Sequence, residues 1–134
     1  MKEISELEFP EDLRYAEDHE WARSAGEIVR IGISDYAQDQ LGDIVFVELP
    51  QVGDSFDKGK EFGTVESVKA VAELFMPFGG EIEAVNEALE ESPELVNKEA
   101  YGEGWMIEVK LADTAELNGL MSRDDYVEFL KGKE

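Results

Sequence analysis

Hydrophobic positions along the chain fall mostly into short runs with a period of two. "EIVRIGI" (27–33) is rich in Ile and Val and predicts a strand, with "SAG" before it as a turn and "HEWAR" (19–23) as its hairpin partner. "SDYAQDQLG" follows, where Ser34 is a suitable N-cap and Gly42 a stop for a short helix. "DIVFVEL" (43–49) is nearly all apolar or β-branched and predicts a buried strand. "PQVGD" and "DKGK" then predict turns. Three strands are expected between 60 and 86: "EFGTVESV", "AVAELFM" and "EIEAV". The second places Ala70, Ala72, Leu74 and Met76 on one face, and the third sets Ile82 and Ala84 against Glu81 and Glu83. "PFGG" separates these two.

Residues 87–103 are polar, with Pro93 and Gly102, and predict loop or short helix. "WMIEVKL" (105–111) alternates Trp105, Ile107, Val109 and Leu111 against Met106, Glu108 and Lys110, a last strand. The tail then changes character. Asp113 with Glu116, and Ser122 with Asp125, resemble capping boxes and predict helices near 114–118 and 123–131. Many short strands with Gly-rich turns, followed by helices, point to a small β-barrel or sandwich with helices added.

A chain of 134 residues suggests one domain, with enough material for a core that needs no staples. The absence of cysteine excludes disulfides and thiolate chemistry, and a single histidine excludes a Cys/His zinc site. No apolar run approaches the ~18 residues of a membrane span. The acidic start "MKEISELEFPEDLRYAEDHE" is unlike a secretory signal or an Arg-rich transit peptide. The formal charge of −21 argues against nucleic acid and anionic membrane surfaces as partners. It favours solubility and encounters with basic protein surfaces.

Against this acidic background one lysine stands out. In "ESVKAVAE", Lys69 lies between two expected strands, at the tip of a hairpin, bracketed by Glu66 and Glu73. Composition alone reads it as a solvated turn lysine. A Schiff-base nucleophile needs a depressed pKa, and neighbouring carboxylates act in the opposite direction. A third use needs no such shift: the lysine accepts a modification and the hairpin presents the attached group.

"GTVESVKAVAELFMPFGGEIEAVN" resembles the lipoyl-attachment motif of the glycine cleavage H-protein family. Gly53 lies sixteen residues before Lys69 and Gly80 eleven after, offsets that resemble the turn glycines of lipoyl and biotinyl half-barrels. "YAEDHEW" (15–21), "IGISDYAQDQLGDIVFVELPQVG" (31–53), "PELVN" (93–97) and "YGEGWMIEVK" (101–110) resemble further segments of the family in the expected order. The likeness extends to the helical C-terminus and spans nearly the whole chain.

The resemblance implies a mainly β, barrel-sandwich hybrid with short helices, one carrier domain over 1–134, and an attachment hairpin near 62–86. It implies lipoic acid in amide linkage on Lys69. It further implies a non-catalytic, monomeric shuttle for the aminomethyl group of decarboxylated glycine. The partners would be a PLP-dependent glycine decarboxylase, a tetrahydrofolate-dependent aminomethyltransferase, a dihydrolipoamide dehydrogenase and a lipoylating enzyme. The compartment would be bacterial cytoplasm, or the mitochondrial matrix for a mature eukaryotic form. Family cleft positions correspond here to Asp18, Glu20 and Glu73, of which Asp18 departs from the small hydroxyl residue often found there. Glu66 is a candidate for recognition by the lipoylating enzyme, or a solvated turn acid. His19, Trp21 and Trp105 read as structural.

Three other carriers compete. An H-like protein that only relays lipoyl groups would keep the same hairpin. A biotin carrier would place methionines where Val68 and Ala70 stand. An acyl carrier protein would be a helical bundle with a modified serine in an Asp-Ser-Leu triplet, which the chain lacks.

Overall fold

A computed structural model describes residues 3–132. Nine strands and a few short helices are formed among them, so the protein is mainly β. Strands β1 (Arg14–Tyr15), β2 (Glu20–Ala25) and β3 (Ile28–Ile33) lead into helix α1 (Asp35–Leu41). Next come β4 (Ile44–Glu48), β5 (Ser55–Phe56), β6 (Glu61–Ser67), β7 (Val71–Phe75) and β8 (Gly80–Val85). Two single-turn helices, α2 (Ala88–Glu91) and α3 (Leu95–Lys98), precede β9 (Ile107–Leu111). The chain ends in a 3-10 segment, Thr114–Gly119, and helix α4 (Arg123–Lys131).

The strands make two antiparallel sheets. One has the order β1-β2-β3-β9-β8-β5 and the other β4-β6-β7. Their inner faces close on one core that includes Val29, Ile31, Val47, Val65, Leu74, Phe78, Ile82 and Val109. This is the flattened barrel-sandwich expected from the sequence. A second apolar cluster joins the two ends of the chain. Ile4, Leu7 and Phe9 pack with Tyr15, Trp21, Tyr126 and Leu130. Tyr15 stacks on Tyr126 at 4.6 Å. Among the described residues, no helix is long and apolar enough to cross a membrane.

Several expectations need correction. The β2–β3 turn is Gly26–Glu27 rather than "SAG", because Ser24 and Ala25 remain paired and Gly26 supplies the positive φ. Strand β4 is not buried throughout. It lies at a sheet edge, and a bulge between Ile44 and Phe46 breaks the alternation. Ile44 and Val47 stay in the core, while Val45 and Phe46 are 52% and 50% exposed. Strand β9 starts at Ile107, and Met106, expected on the polar face, is fully buried. Glu116 does not close a capping box with Asp113. Its Oε1 accepts a hydrogen bond from Gly79 N at 2.9 Å, and the segment forms a 3-10 turn. Ser122 does cap α4, accepting from Asp125 N.

Gly53 sits in a turn at φ 97°, as expected. Gly80 instead opens β8, where a Cβ would collide with Lys110 O and Val109 Cγ1 of β9. Its role is close strand approach, not a turn conformation. Gly80→Ala should therefore destabilise the fold by ~1–3 kcal/mol, the usual cost of overpacking. Denaturant unfolding measures this, and an unchanged midpoint would contradict it.

Candidate functional site

The hairpin β6–β7 carries Lys69 at its tip. Val65 pairs with Ala72 and Glu66 with Val71, leaving Ser67 to Ala70 as the turn. Ser67 builds that turn. Its amide donates to Ala70 O at 2.8 Å, and its hydroxyl accepts from Ala70 N at 3.0 Å and Lys69 N at 3.3 Å. A serine that bonds the backbone two and three residues on is a compact turn former. The Lys69 side chain is thus displayed on a tip whose backbone is held by its own serine.

The tip is also tied to the body. Val68 N donates to Asp43 O at 3.0 Å. Gly42, the C-cap of α1 at φ 81°, lies beside the lysine: a Cβ there would be 3.5 Å from Lys69 Cε. Asn97 pins this corner from below. Its amide nitrogen donates to Gly42 O and to Gln38 Oε1, both at 2.9 Å, and its oxygen accepts from Ile44 N at 2.8 Å. One asparagine from α3 therefore fixes the end of α1 and the start of β4.

A cleft of about 270 Å³ lies between α1 and β7 and reaches toward the tip at Leu41, the neighbour of Gly42, and at Ala72, two residues after the turn. Leu41 and Ala37 of α1, Ala72 and Leu74 of β7, and Tyr36 form its apolar walls. Asp18 and Glu73 line it, with His19. A larger hollow, about 500 Å³ between the N-terminal segment and α4, contains neither of these acids. Position beside the lysine, not size, marks the smaller cleft.

Glu20 is placed differently from the other two acids. It is 2% exposed and does not line the cleft. Its cross-strand partner Ile33 and its neighbour Leu74 through Phe75 belong to the cleft, so Glu20 lies in the wall. Phe75 N reaches its Oε2 at 3.5 Å, and its Oε1 has no hydrogen-bond partner among the described residues. Burial pushes its pKa up to about 9, and the negative charge of Asp18 adds to the rise. At neutral pH this side chain is the uncharged acid.

Glu66 is half-buried on the outward face of β6, between Phe46 of β4 and Val71 of β7. His19 takes φ 74°, and its Nδ1 lies 2.9 Å from the Tyr126 hydroxyl. That bond joins the β1–β2 turn to α4, the structural part expected of it. Trp21 is fully buried, with its indole N–H donating to Ala100 O at 2.8 Å. Trp105 is only half-buried and lies under the Arg30 guanidinium at 4.6 Å.

Sequence reading passed over Ser67, Asn97, Gly42 as a neighbour of the lysine, and Tyr36. Ser67 had a local signal, a hydroxyl next to a turn. Asn97 had none, since its partners lie 53 to 59 residues away.

Comparison with known proteins identifies the family. The family model described as "Glycine cleavage H-protein" matches residues 13–133. A glycine cleavage system H protein of Bacteroides thetaiotaomicron is 51% identical over 126 residues, covering 94% of this chain and all of that protein. One from Bacillus pumilus is 54% identical over 122 residues, covering 91% of this chain and 96% of its own. The crystal structure of a glycine cleavage system H protein from Mycobacterium marinum superposes with a TM-score of 0.84 at 36% identity, covering 91% of this chain and 98% of that one. On the match of both sequence and fold, the chain belongs to the glycine cleavage H-protein family.

Proposed function

We propose that the protein is the lipoyl carrier of the glycine cleavage system, with lipoate in amide linkage on Lys69 Nζ. One observation carries the reading: an exposed lysine on a serine-built tip, with a bare glycine beside it and an acid-lined cleft adjoining it. The residues suit the group. Gly42 puts no side chain in the path of the arm, and the cleft walls at Tyr36, Leu41 and Leu74 match an apolar carbon chain. The attached lipoyl group supplies a disulfide that takes up an aminomethyl unit and a dithiol that is reoxidised after its release.

The chain's own residues position and protect. Asp18 and Glu73 pair with the cationic amine of the cargo. Tyr36, Leu41 and Ala72 keep water from it. Glu20 supports the wall, and Gly53 supplies the turn next to β8, where its amide donates to Ile82 O at 2.9 Å. The chain works as one non-catalytic, monomeric unit. Its partners are a PLP-dependent glycine decarboxylase, an aminomethyltransferase, a dihydrolipoamide dehydrogenase and a lipoylating enzyme. It works in bacterial cytoplasm, or in the mitochondrial matrix if it is a mature eukaryotic form.

Glycine–bicarbonate exchange with the decarboxylase tests the role. Fully lipoylated protein should support exchange. No exchange would reject glycine cleavage and leave the lipoyl-relay alternative. Glu73→Gln should shorten the lifetime of the loaded carrier about tenfold, the loss expected for one charge-assisted hydrogen bond of roughly 1.5 kcal/mol. An unchanged lifetime, read by ammonia release, would remove Glu73 from this role.

A further inference from the structure

The side chain of Asn97 spends its hydrogen bonds away from its own helix, α3. Residues 42–44, which receive them, form the corner where the hairpin tip meets the end of α1. The middle member, Asp43, takes the tip: Val68 N donates to its carbonyl at 3.0 Å. The two outer members go to Asn97. Its Nδ2 donates to Gly42 O at 2.9 Å, and its Oδ1 accepts from Ile44 N at 2.8 Å. Nδ2 also donates to Gln38 Oε1 of α1 at 2.9 Å.

The sense of each bond is fixed. A carbonyl has to face the amide nitrogen and a backbone N–H has to face the amide oxygen, so one orientation of Asn97 satisfies the corner. Gln38 is oriented in the same way, because its Nε2 donates to Asp35 Oδ1 at 2.7 Å and leaves Oε1 for Asn97.

The corner matters because of what it joins. Ala37 and Leu41 of α1 line one side of the cleft, and Ala72 and Leu74 of β7 line the other. No ladder connects these walls, since β7 is an edge strand paired with β6. At the far end of β7, Phe75 N reaches Glu20 Oε2 at 3.5 Å. At the near end the walls meet over residues 42–44. A segment with few bonds of its own depends on such anchors to resist local opening.

We propose that Asn97 is a positioning residue for the carrier: it fixes the spacing between the hairpin that bears the arm and the helix that walls the cleft, and so keeps a loaded arm over its acids. The inference rests on the carrier reading. Asn97 does not line the cleft, so it acts through Gly42, Asp43 and Gln38. The arm starts at Lys69 beside Gly42 and runs along α1 to bring a cargo amine to Asp18 and Glu73. Misplacement by about 1 Å, caused by a residue remote from the chemistry, is enough to weaken contacts of this kind severely. Acylation of Lys69 makes no such demand, because Ser67 builds the turn from its own neighbours. Asn97 therefore separates two steps: protection of the cargo needs it and attachment of the arm does not.

Asn97→Asp tests this. It keeps the shape and the acceptor for Ile44 N, and it removes both donors. In the unlipoylated chain, amide hydrogen exchange at Val68 should quicken about tenfold more than at Met106, whose N donates to Ile31 O of the other sheet at 2.8 Å. In the lipoylated chain, loaded by the decarboxylase with glycine, ammonia release should quicken about fivefold, the loss expected for one neutral hydrogen bond. The kcat and KM for lipoylation should stay within about twofold of wild type. Equal quickening at both amides would make Asn97 a support of the whole fold and overturn the proposal. A wild-type lifetime of the loaded carrier would overturn it as well. Gln38→Met is the second variant, should Asn97→Asp not fold. It cuts the bond from Asn97 to α1, with that of Gln38 to Asp35, and keeps those to Gly42 and Ile44. It should shorten the lifetime at least about twofold, and an unchanged lifetime would overturn the proposal. A fully lipoylated wild type that takes up no cargo would overturn the carrier reading and this role together.

Discussion

Lys69→Ala protein co-expressed with a lipoylating enzyme will carry no adduct by intact mass, whereas wild type will carry one. The expected effect is complete because acylation needs a primary amine at one place. Among the described residues, Lys58, Lys60, Lys98, Lys110 and Lys131 offer the same amine chemistry, but none of them stands in the turn that Ser67 builds. Among the described lysines, Lys69 alone has its amide held by that serine and its side chain against Gly42. Lys69→Arg should also remain unmodified, because a guanidinium stays protonated and is no nucleophile. An adduct persisting in Lys69→Ala would move the attachment elsewhere. An unmodified wild type beside a working positive control would end the carrier reading.

The second large effect concerns Glu20, and its signature is stability against pH. In the unfolded chain this carboxyl titrates near its ordinary 4.5, and in the folded protein near 9. Between those values the folded state holds a proton that the unfolded state has lost. Unfolding then releases one proton, so stability falls as pH rises, by about 1.4 kcal/mol per unit for one group. The contribution is fully favourable below the unfolded pKa and is lost progressively up to about 9. Above the folded value both states are ionised and the slope disappears.

The groups facing Glu20 do not mask this window. Asp18 raises its pKa, and Tyr126, itself pushed up by burial, stays neutral throughout. Glu20→Gln keeps the shape and removes the titration. Between pH 7 and 9 the variant should lose most of the wild-type slope and be more stable at pH 8, by on the order of a few kcal/mol. Urea unfolding at fixed ionic strength reads both quantities. Parallel curves for the two proteins would refute a buried neutral carboxyl at this position.

The sequence carried most of the architecture because most of its signals are local. Period-two runs located β3, β6, β7 and β8. Ser34, Gly42 and Ser122 marked helix ends through bonds to residues at most four positions away. Lys69 and its motif were readable for the same reason, since a hairpin tip is made by its own neighbours. The errors fell where a distant element intervened. "DIVFVEL" is as apolar as a central strand, but sheet order puts β4 at an edge, and the bulge turns Val45 and Phe46 outward. Glu116 had the spacing of a capping box, yet Gly79 N, 37 residues away, took its carboxylate.

By itself, then, the sequence determined that a lysine would be held out on a β-hairpin in an acidic, mainly β chain. Short-range hydrogen bonds and alternation are enough for that. Only the tertiary structure decided what surrounds the lysine. It brought Gly42 and Asn97 together at the foot of the tip and put Asp18 and Glu73 on one cleft. It sealed Glu20 in the wall between β2 and β7. Three acids, unremarkable in a chain of this charge, became two cleft carboxylates and one neutral acid. The difference is solvent access, which is set by packing between strands remote in sequence and leaves no trace in the local pattern.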